Sequence, residues 1–460
     1  MFSHVRLITR GPIPLALAAA LIPVLAVAAP LAGSDVAPPA PAIVPDVAAA
    51  LADVSPARLR ATDTRLVDFG TRNLFSERTA SPTRGVFAAR DWLAGQFRDA
   101  GRAGGGRLAV SYDTYDQARE EGIPRAVTVS SVIATLPGDD PSRGTIVISS
   151  HYDSRDSHGN DPIKDAPGAD DNGSGTSAVV EAARVLAGRH FPATIVFACF
   201  DGEEQGLYGS DHFAKSLVAR GTRVEAVLND DIVGASVGHD GESEPGVVRV
   251  FSEALPVGAV PRRVDAAGTE NDSPARELAR FAKAVGEAYV PAMTVELVER
   301  ADRFLRGGDQ ESFAAQGDPA IRYVEPHENF DHQHQDVRVE GGVQYGDLLR
   351  YVDFDYLARV TRLDVAALAT LALAPAAPAP ALDAKRLGYD STLRWPAVPG
   401  AARYVAVWRR TTDAVWTHGR DLGDATNVTL PLSKDDWLFG IYAVAPGGAR
   451  SVTAFPTPVR

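Results

Sequence analysis

Neighbouring acids recur through the middle of this chain. Asp170 and Asp171 stand in GADDNGSGT, Glu203 and Glu204 in DGEEQGLYGS, and Asp230 and Asp231 in NDDIVG, while HYDS contributes His151 and Asp153. Carboxylates crowded into one partly buried site raise one another's pKa strongly unless protons or cations neutralise them. Divalent ions are the economical solution, and imidazole plus carboxylate without thiolate suits zinc and related metals. A carboxylate shared by two ions spans the ~3.5–4 Å separation of two-metal hydrolytic sites. For GADDNGSGT alone, the competing reading is a solvated turn whose Asp or Asn caps the helix that follows.

These groups can meet only if the chain brings them to one edge. AVTVSSVIATL, GTIVISSHYD and ATIVFACFDGEE have strand character, and the helical segment GTSAVVEAARVLAGR lies between the last two. Strand, helix, strand with nearly continuous apolar strands indicates a parallel sheet covered on both faces. Functional groups in such folds gather at the carboxyl ends of the strands. His151 and Asp153 follow TIVISS, Glu203 and Glu204 follow TIVFACFDG, and Asp230 and Asp231 follow VEAVLN. The expected fold is therefore α/β, a mixed and mostly parallel central sheet with helices on both faces. Two amphipathic helices precede it, one opening at Ser55 and Pro56, the other carrying Val86, Trp92, Leu93 and Phe97. Cys199, the sole cysteine, falls in a buried strand, so no intramolecular disulfide can form and the thiol reads as a small core residue.

The ends of the chain differ from its middle. Arg6 and Arg10 precede an apolar run ending in Ala26-Val27-Ala28, the pattern of a signal peptide over residues 1–28, which predicts export to the periplasm or the extracellular space and no stable membrane insertion after cleavage. An Ala/Pro-rich lead-in is expected at 29–55, a main domain at 56–370, an Ala/Pro linker at 371–384 and a small all-β sandwich at 385–460, whose Trp395 and YVAVWRRT resemble fibronectin type III modules. Such a tail reads as an accessory, either inert or binding a surface or partner, rather than as part of catalysis. The net charge of −13 argues against a nucleic-acid partner.

HYDS, GADDNGSG, DGEEQGLYGS, NDDIVG and HQHQD, in this order over roughly residues 55–370, resemble the secreted zinc aminopeptidases of the aminopeptidase Y and leucyl aminopeptidase type, relatives of glutamate carboxypeptidase and glutaminyl cyclase. The resemblance implies the zinc-dependent exopeptidase fold, two Zn²⁺ ions and peptide or protein N-termini as substrate. It implies His151 and Asp231 on the first zinc, Glu204 on the second, Asp170 as the bridging carboxylate with a cis bond to Asp171, Glu203 as general base and Asp153 orienting His151. For the last ligand it picks His332 with Asp336, with His334 as the fallback. Asp309 in RGGDQESF would organise the site, although Gln310 replaces the His of many relatives, and Tyr323 is a candidate for stabilising an oxyanion. A carboxypeptidase, a single-zinc glutaminyl cyclase and a non-catalytic receptor remain as alternatives, the receptor reading being opposed by the full ligand set.

Overall fold

The computed structural model describes residues 37–254, 272–385 and 388–459. The signal segment expected at 1–28 lies outside the described residues. An eight-stranded sheet organises the main body: β1 (Ala109–Gln117), β2 (Val127–Leu136), β3 (Thr145–His151), β4 (Thr194–Phe200), β5 (Val224–Asp230), β6 (Val247–Phe251), β7 (Thr294–Val298) and β8 (Ala320–Val324). Their spatial order is β1-β2-β4-β3-β5-β8-β6-β7. The central four, β4-β3-β5-β8, are mutually parallel, and antiparallel pairs flank them at β1/β2, β2/β4 and β8/β6.

Both faces are covered, as strands apolar throughout require. Along β3, Ile146 and Ile148 enter the larger core while Val147 enters the smaller one behind the sheet. The larger core takes residues from α1 (Pro45–Ala52), α2 (Pro56–Val67), α3 (Val86–Ala103), α4 (Gly175–Leu186), α6 (Pro274–Tyr289) and α8 (Phe354–Leu373). The smaller takes Phe213, Ala214 and Leu217 of α5 (Tyr208–Ala219) and Phe313 and Ala314 of α7 (Gln310–Ala314). Each large apolar side chain so buried contributes roughly 1.5–3 kcal/mol. Ser55 caps α2 by accepting the N–H of Arg58, with Pro56 at the first helical position.

Two expected boundaries move. The lead-in expected at 29–55 contains α1, whose Val47, Ala50 and Leu51, with Val44 before it, are buried, so its apolar face is part of the core despite Ala/Pro-rich surroundings. The linker is shorter than expected, because α8 runs to Leu373 and a strand resumes at Ala381–Asp383.

The C-terminal segment forms two small sheets, one of four strands and one of three. Leu393, Trp395 and Leu430 from the first pack against Tyr404, Trp408, Phe439 and Ile441 from the second. Arg409 of this unit forms a buried ion pair with Asp272, which also holds Arg280 of α6 at 2.7 Å, and the Trp416 indole N–H donates to Glu277 at 2.9 Å.

Candidate metal centre

Three parallel strands end side by side and deliver three sets of side chains. His151 is the last residue of β3 and pairs with Phe200, the last of β4, after which the chain turns through Glu203 and Glu204 into α5. Asp231 follows the end of β5. Asp153 is fully buried and joins two of these sets: its carboxylate lies 3.5 Å from His151 Nδ1 and accepts the N–H groups of Glu203 and Glu204, each at 3.2 Å.

The acid pair at 170–171 lies on a turn before α4. Asp171 and Asn172 have non-helical backbone angles, and the cis peptide bond joins Asp171 to Asn172 rather than Asp170 to Asp171. The turn is held from several directions. Asp347 accepts both Asp170 and Asp171 N–H, Asn172 donates to the Asp230 carbonyl at 2.9 Å and accepts Gly175 N–H at 2.9 Å, and fully buried Arg72 donates to the carbonyls of Tyr152, Leu66, Pro167 and Gly168.

The result is one carboxylate between two clusters. Asp171 Oδ1 lies 3.3 Å from His151 Nε2, which is also 3.4 Å from Asp231 Oδ1 and 3.9 Å from Glu203 Oε2. Asp171 Oδ2 lies 2.9 Å from His334 Nε2, which is also 2.9 Å from Glu204 Oε2. His151, Glu203 and Asp231 present ligand atoms within 4.8 Å of one another, and so do Asp171, Glu204 and His334, sets of imidazole and carboxylate donors suited to zinc. Glu204 Oε1 is buried without a hydrogen-bond donor, a satisfiable arrangement if a cation takes it up.

The electrostatics point the same way. Burial opposes a charge on His334, but Glu204 and Asp171 outweigh it and lift its pKa to about 10; His151 is likewise raised, by Glu203 and Asp231 against the effect of burial. Burial works against ionisation of Asp171 too, yet His334 and His151 hold its pKa well below the ordinary value. Burial pushes Glu203 up, and Asp231 and Glu204 push it further.

Two expectations are corrected by one and two residues. Asp170 does not lie between the two clusters: its Oδ1 accepts Gly234 N–H at 2.8 Å, and its carboxyl, pushed up to about 6 by burial, faces Glu325. His332 is not in either cluster; its ring stacks on Tyr351 with centroids 3.6 Å apart, and His334 occupies the site instead. Asp336 pairs with Ser157 and Lys164 rather than with a ligating histidine. Tyr323 points away from the site as well, buried beside Asp364 and Asp230, because alternate residues of β8 face opposite sides and its neighbour Arg322 faces Asp231. Asp309 is fully buried near His151 and Asp231, and Gln310 donates to Asp302 at 2.9 Å.

Residues unmarked by any motif complete the site. Arg322 holds Asp231 Oδ2 at 2.9 Å and Asp302 at 2.9 Å. A cleft of about 380 Å³ opens over the clusters. Four non-glycine residues have positive φ among those described: Leu207 and Leu305 line the cleft, Ile232 adjoins Asp231, and the fourth is His334 itself. Backbone conformations this costly persist where surrounding structure enforces them, commonly at functional sites.

The sequence model of Peptidase family M28 matches residues 131–340. A protein of Leptosphaeria maculans named "Probable zinc metalloprotease" is 43% identical over 425 residues, covering 91% of this chain and 98% of that protein. A protein of the same name from Pyricularia oryzae is 45% identical over 426 residues, covering 90% and 84%. Among solved structures, the LapA aminopeptidase of Legionella pneumophila gives a TM-score of 0.52 at 21% identity, over 74% of this chain and 78% of that one. A glutaminyl cyclase from Macrostomum lignano gives 0.51 at 15% identity, over 71% and 92%. At such identities the likeness is one of fold, which an aminopeptidase and a cyclase share.

Proposed function

The chain belongs to peptidase family M28, and from that membership we propose that it is a zinc metallo-aminopeptidase with a dinuclear site, hydrolysing the N-terminal peptide bond of peptides. The observation that carries this reading is the placement of Asp171, one oxygen turned to His151 and the other to His334. In this reading His151, Asp231 and Asp171 would hold one ion, and Asp171, Glu204 and His334 would hold the other. Bound there, zinc supplies a Lewis acid that polarises a substrate carbonyl and acidifies a water.

Glu203 is left outside that set and acts as general base. In that role its carboxylate takes a proton from the attacking water and returns it to the departing amine. Asp153 keeps Glu203 and Glu204 in register by holding both of their N–H groups and supports His151 from behind. Arg322 fixes Asp231 through the oxygen that does not face His151.

We further propose export by the N-terminal segment and an accessory role for the C-terminal sandwich in binding a surface or partner, in keeping with its fibronectin type III-like sequence. The test of the catalytic reading is release of amino acids from a panel of aminoacyl arylamides, before and after chelation and again after zinc is returned. Release that disappears with the metal and comes back with it supports the reading. Hydrolysis confined to acyl-blocked peptides, or cyclisation of N-terminal glutamine without hydrolysis, refutes it.

A further inference from the structure

Four arginines line the cleft over the two clusters: Arg155, Arg303, Arg306 and Arg322. Two of them are matched by carboxylates. Arg322 lies between Asp231 and Asp302, and Arg303 contacts Asp302 at 3.0 Å and Glu328 at 2.5 Å. The other two are not. Among the described residues, the nearest carboxylate to Arg155 is Glu204 at 3.9 Å, and the nearest to Arg306 is Asp171 at 3.9 Å, followed by Glu328 at 4.0 Å. Their hydrogen bonds go to neutral oxygens, Arg155 to the Asp156 carbonyl at 3.3 Å and Arg306 to Gln333 Oε1 at 3.2 Å.

This balance changes when the clusters are loaded. Glu204 and Asp171 are the acids proposed to hold zinc, so their charge is then directed to the metal, and Glu328 is already held by Arg303. The acids lining the cleft are Asp171, Glu203, Glu204 and Asp231, all belonging to the centre. Two guanidinium groups, with side chains 28% and 26% exposed, therefore face the cleft with no anion of their own. The planar guanidinium matches a carboxylate with paired N–H donors. The cleft volume is on the scale of a small-ligand pocket.

We propose that Arg155 and Arg306 form a subsite for a substrate carboxylate, so that the preferred substrates are short peptides carrying one just beyond the scissile bond; this rests on the aminopeptidase reading above. The carboxylate has two possible sources, the free C-terminus of a dipeptide or an acidic side chain.

The test compares leucyl-alanine, leucyl-alaninamide and leucyl-glutamate α-amide on the zinc-loaded enzyme. We expect kcat/KM for one or both carboxylate-bearing peptides to exceed that for leucyl-alaninamide by about tenfold or more, the scale of one charge-assisted hydrogen-bonded pair, chiefly through KM. Preference for leucyl-alanine alone identifies the chain end, and for the glutamate peptide alone the side chain. The preference should fall to within about twofold in the Arg155→Gln/Arg306→Gln variant at unchanged zinc content, and in wild type it should weaken with added salt. Calorimetry on the zinc-loaded Glu203→Gln enzyme gives a readout independent of turnover, and the carboxylate peptides should bind more tightly in the same order. Cleavage and binding of all three peptides alike overturns the subsite and leaves the aminopeptidase reading standing; failure to cleave any peptide with zinc bound overturns both.

Discussion

The carboxylate of Asp347 accepts the backbone N–H of Asp170 at 2.9 Å and that of Asp171 at 2.7 Å, so a residue far along the chain fixes the turn that aims Asp171 between the two clusters. Asp347→Ala leaves two buried N–H groups unpaired, at a cost of roughly 1–3 kcal/mol each. We expect zinc affinity and activity to fall by about 10- to 100-fold, as for other groups that orient metal ligands. Zinc titration of the variant checks this; wild-type affinity would show that the turn holds itself.

The two neighbouring histidines should behave differently. His334→Ala removes an imidazole that touches both Asp171 and Glu204, whereas His332→Ala removes a ring stacked on Tyr351. We expect the first to lose one zinc per chain and at least about a hundredfold in activity, beyond the range for outer-sphere groups. The second should keep both ions and lose at most a few-fold. Metal analysis and kinetics on the purified pair separate the two outcomes.

Zinc uptake should release protons. In the metal-free protein the pKa of His334, about 10, lies above the ordinary imidazole value, because Glu204 and Asp171 outweigh burial. The ring is therefore an imidazolium throughout the neutral range, and a metal must displace its proton from Nε2. Lowering pH strengthens the proton as competitor, so apparent affinity at this position should fall about tenfold per pH unit below pH ~10. Calorimetry in buffers of different ionisation enthalpy measures the protons released; a count of zero contradicts the assignment.

The C-terminal sandwich is fastened to the main body through a buried charge cluster. Arg409 contacts Asp272, which lies fully buried against Arg280. Arg409→Ala removes half of Asp272's compensation, and we expect a stability loss of about 3 kcal/mol, the lower end for breaking a buried pair. Denaturant unfolding followed by tryptophan fluorescence reads this directly. A loss under about 1 kcal/mol, as for an exposed pair, would show that the cluster fastens nothing.

Much of the site is legible in the sequence because its residues follow the ends of parallel strands, where continuous apolar runs stop and acids begin. His151, Glu203, Glu204 and Asp231 all stand in such places. What composition could not decide was the choice between identical neighbours. In Asp170-Asp171 the selection is made by Gly234 N–H, which captures Asp170, and by Asp347, which orients the turn. In HQHQ, His332 is taken up by stacking on Tyr351, while His334, with left-handed φ of 55°, reaches Asp171 and Glu204. Arg72 and Asp347 carry no such mark for a related reason. They act on backbone carbonyls and N–H groups of distant segments, a role that leaves no local pattern in the chain. Helix α1 was hidden by its small residues: Val47, Ala50 and Leu51 lie on one face, but Ala/Pro-rich flanks mask the period.

Whether Asp171 spans two ions is tested directly by diffraction from zinc-grown crystals at energies on either side of the zinc absorption edge. We expect two anomalous peaks about 3.5–4 Å apart, with Asp171 between them, His151 and Asp231 on one and Glu204 and His334 on the other. A single peak, or Asp171 turned away with Asp170 or His332 in its place, contradicts it.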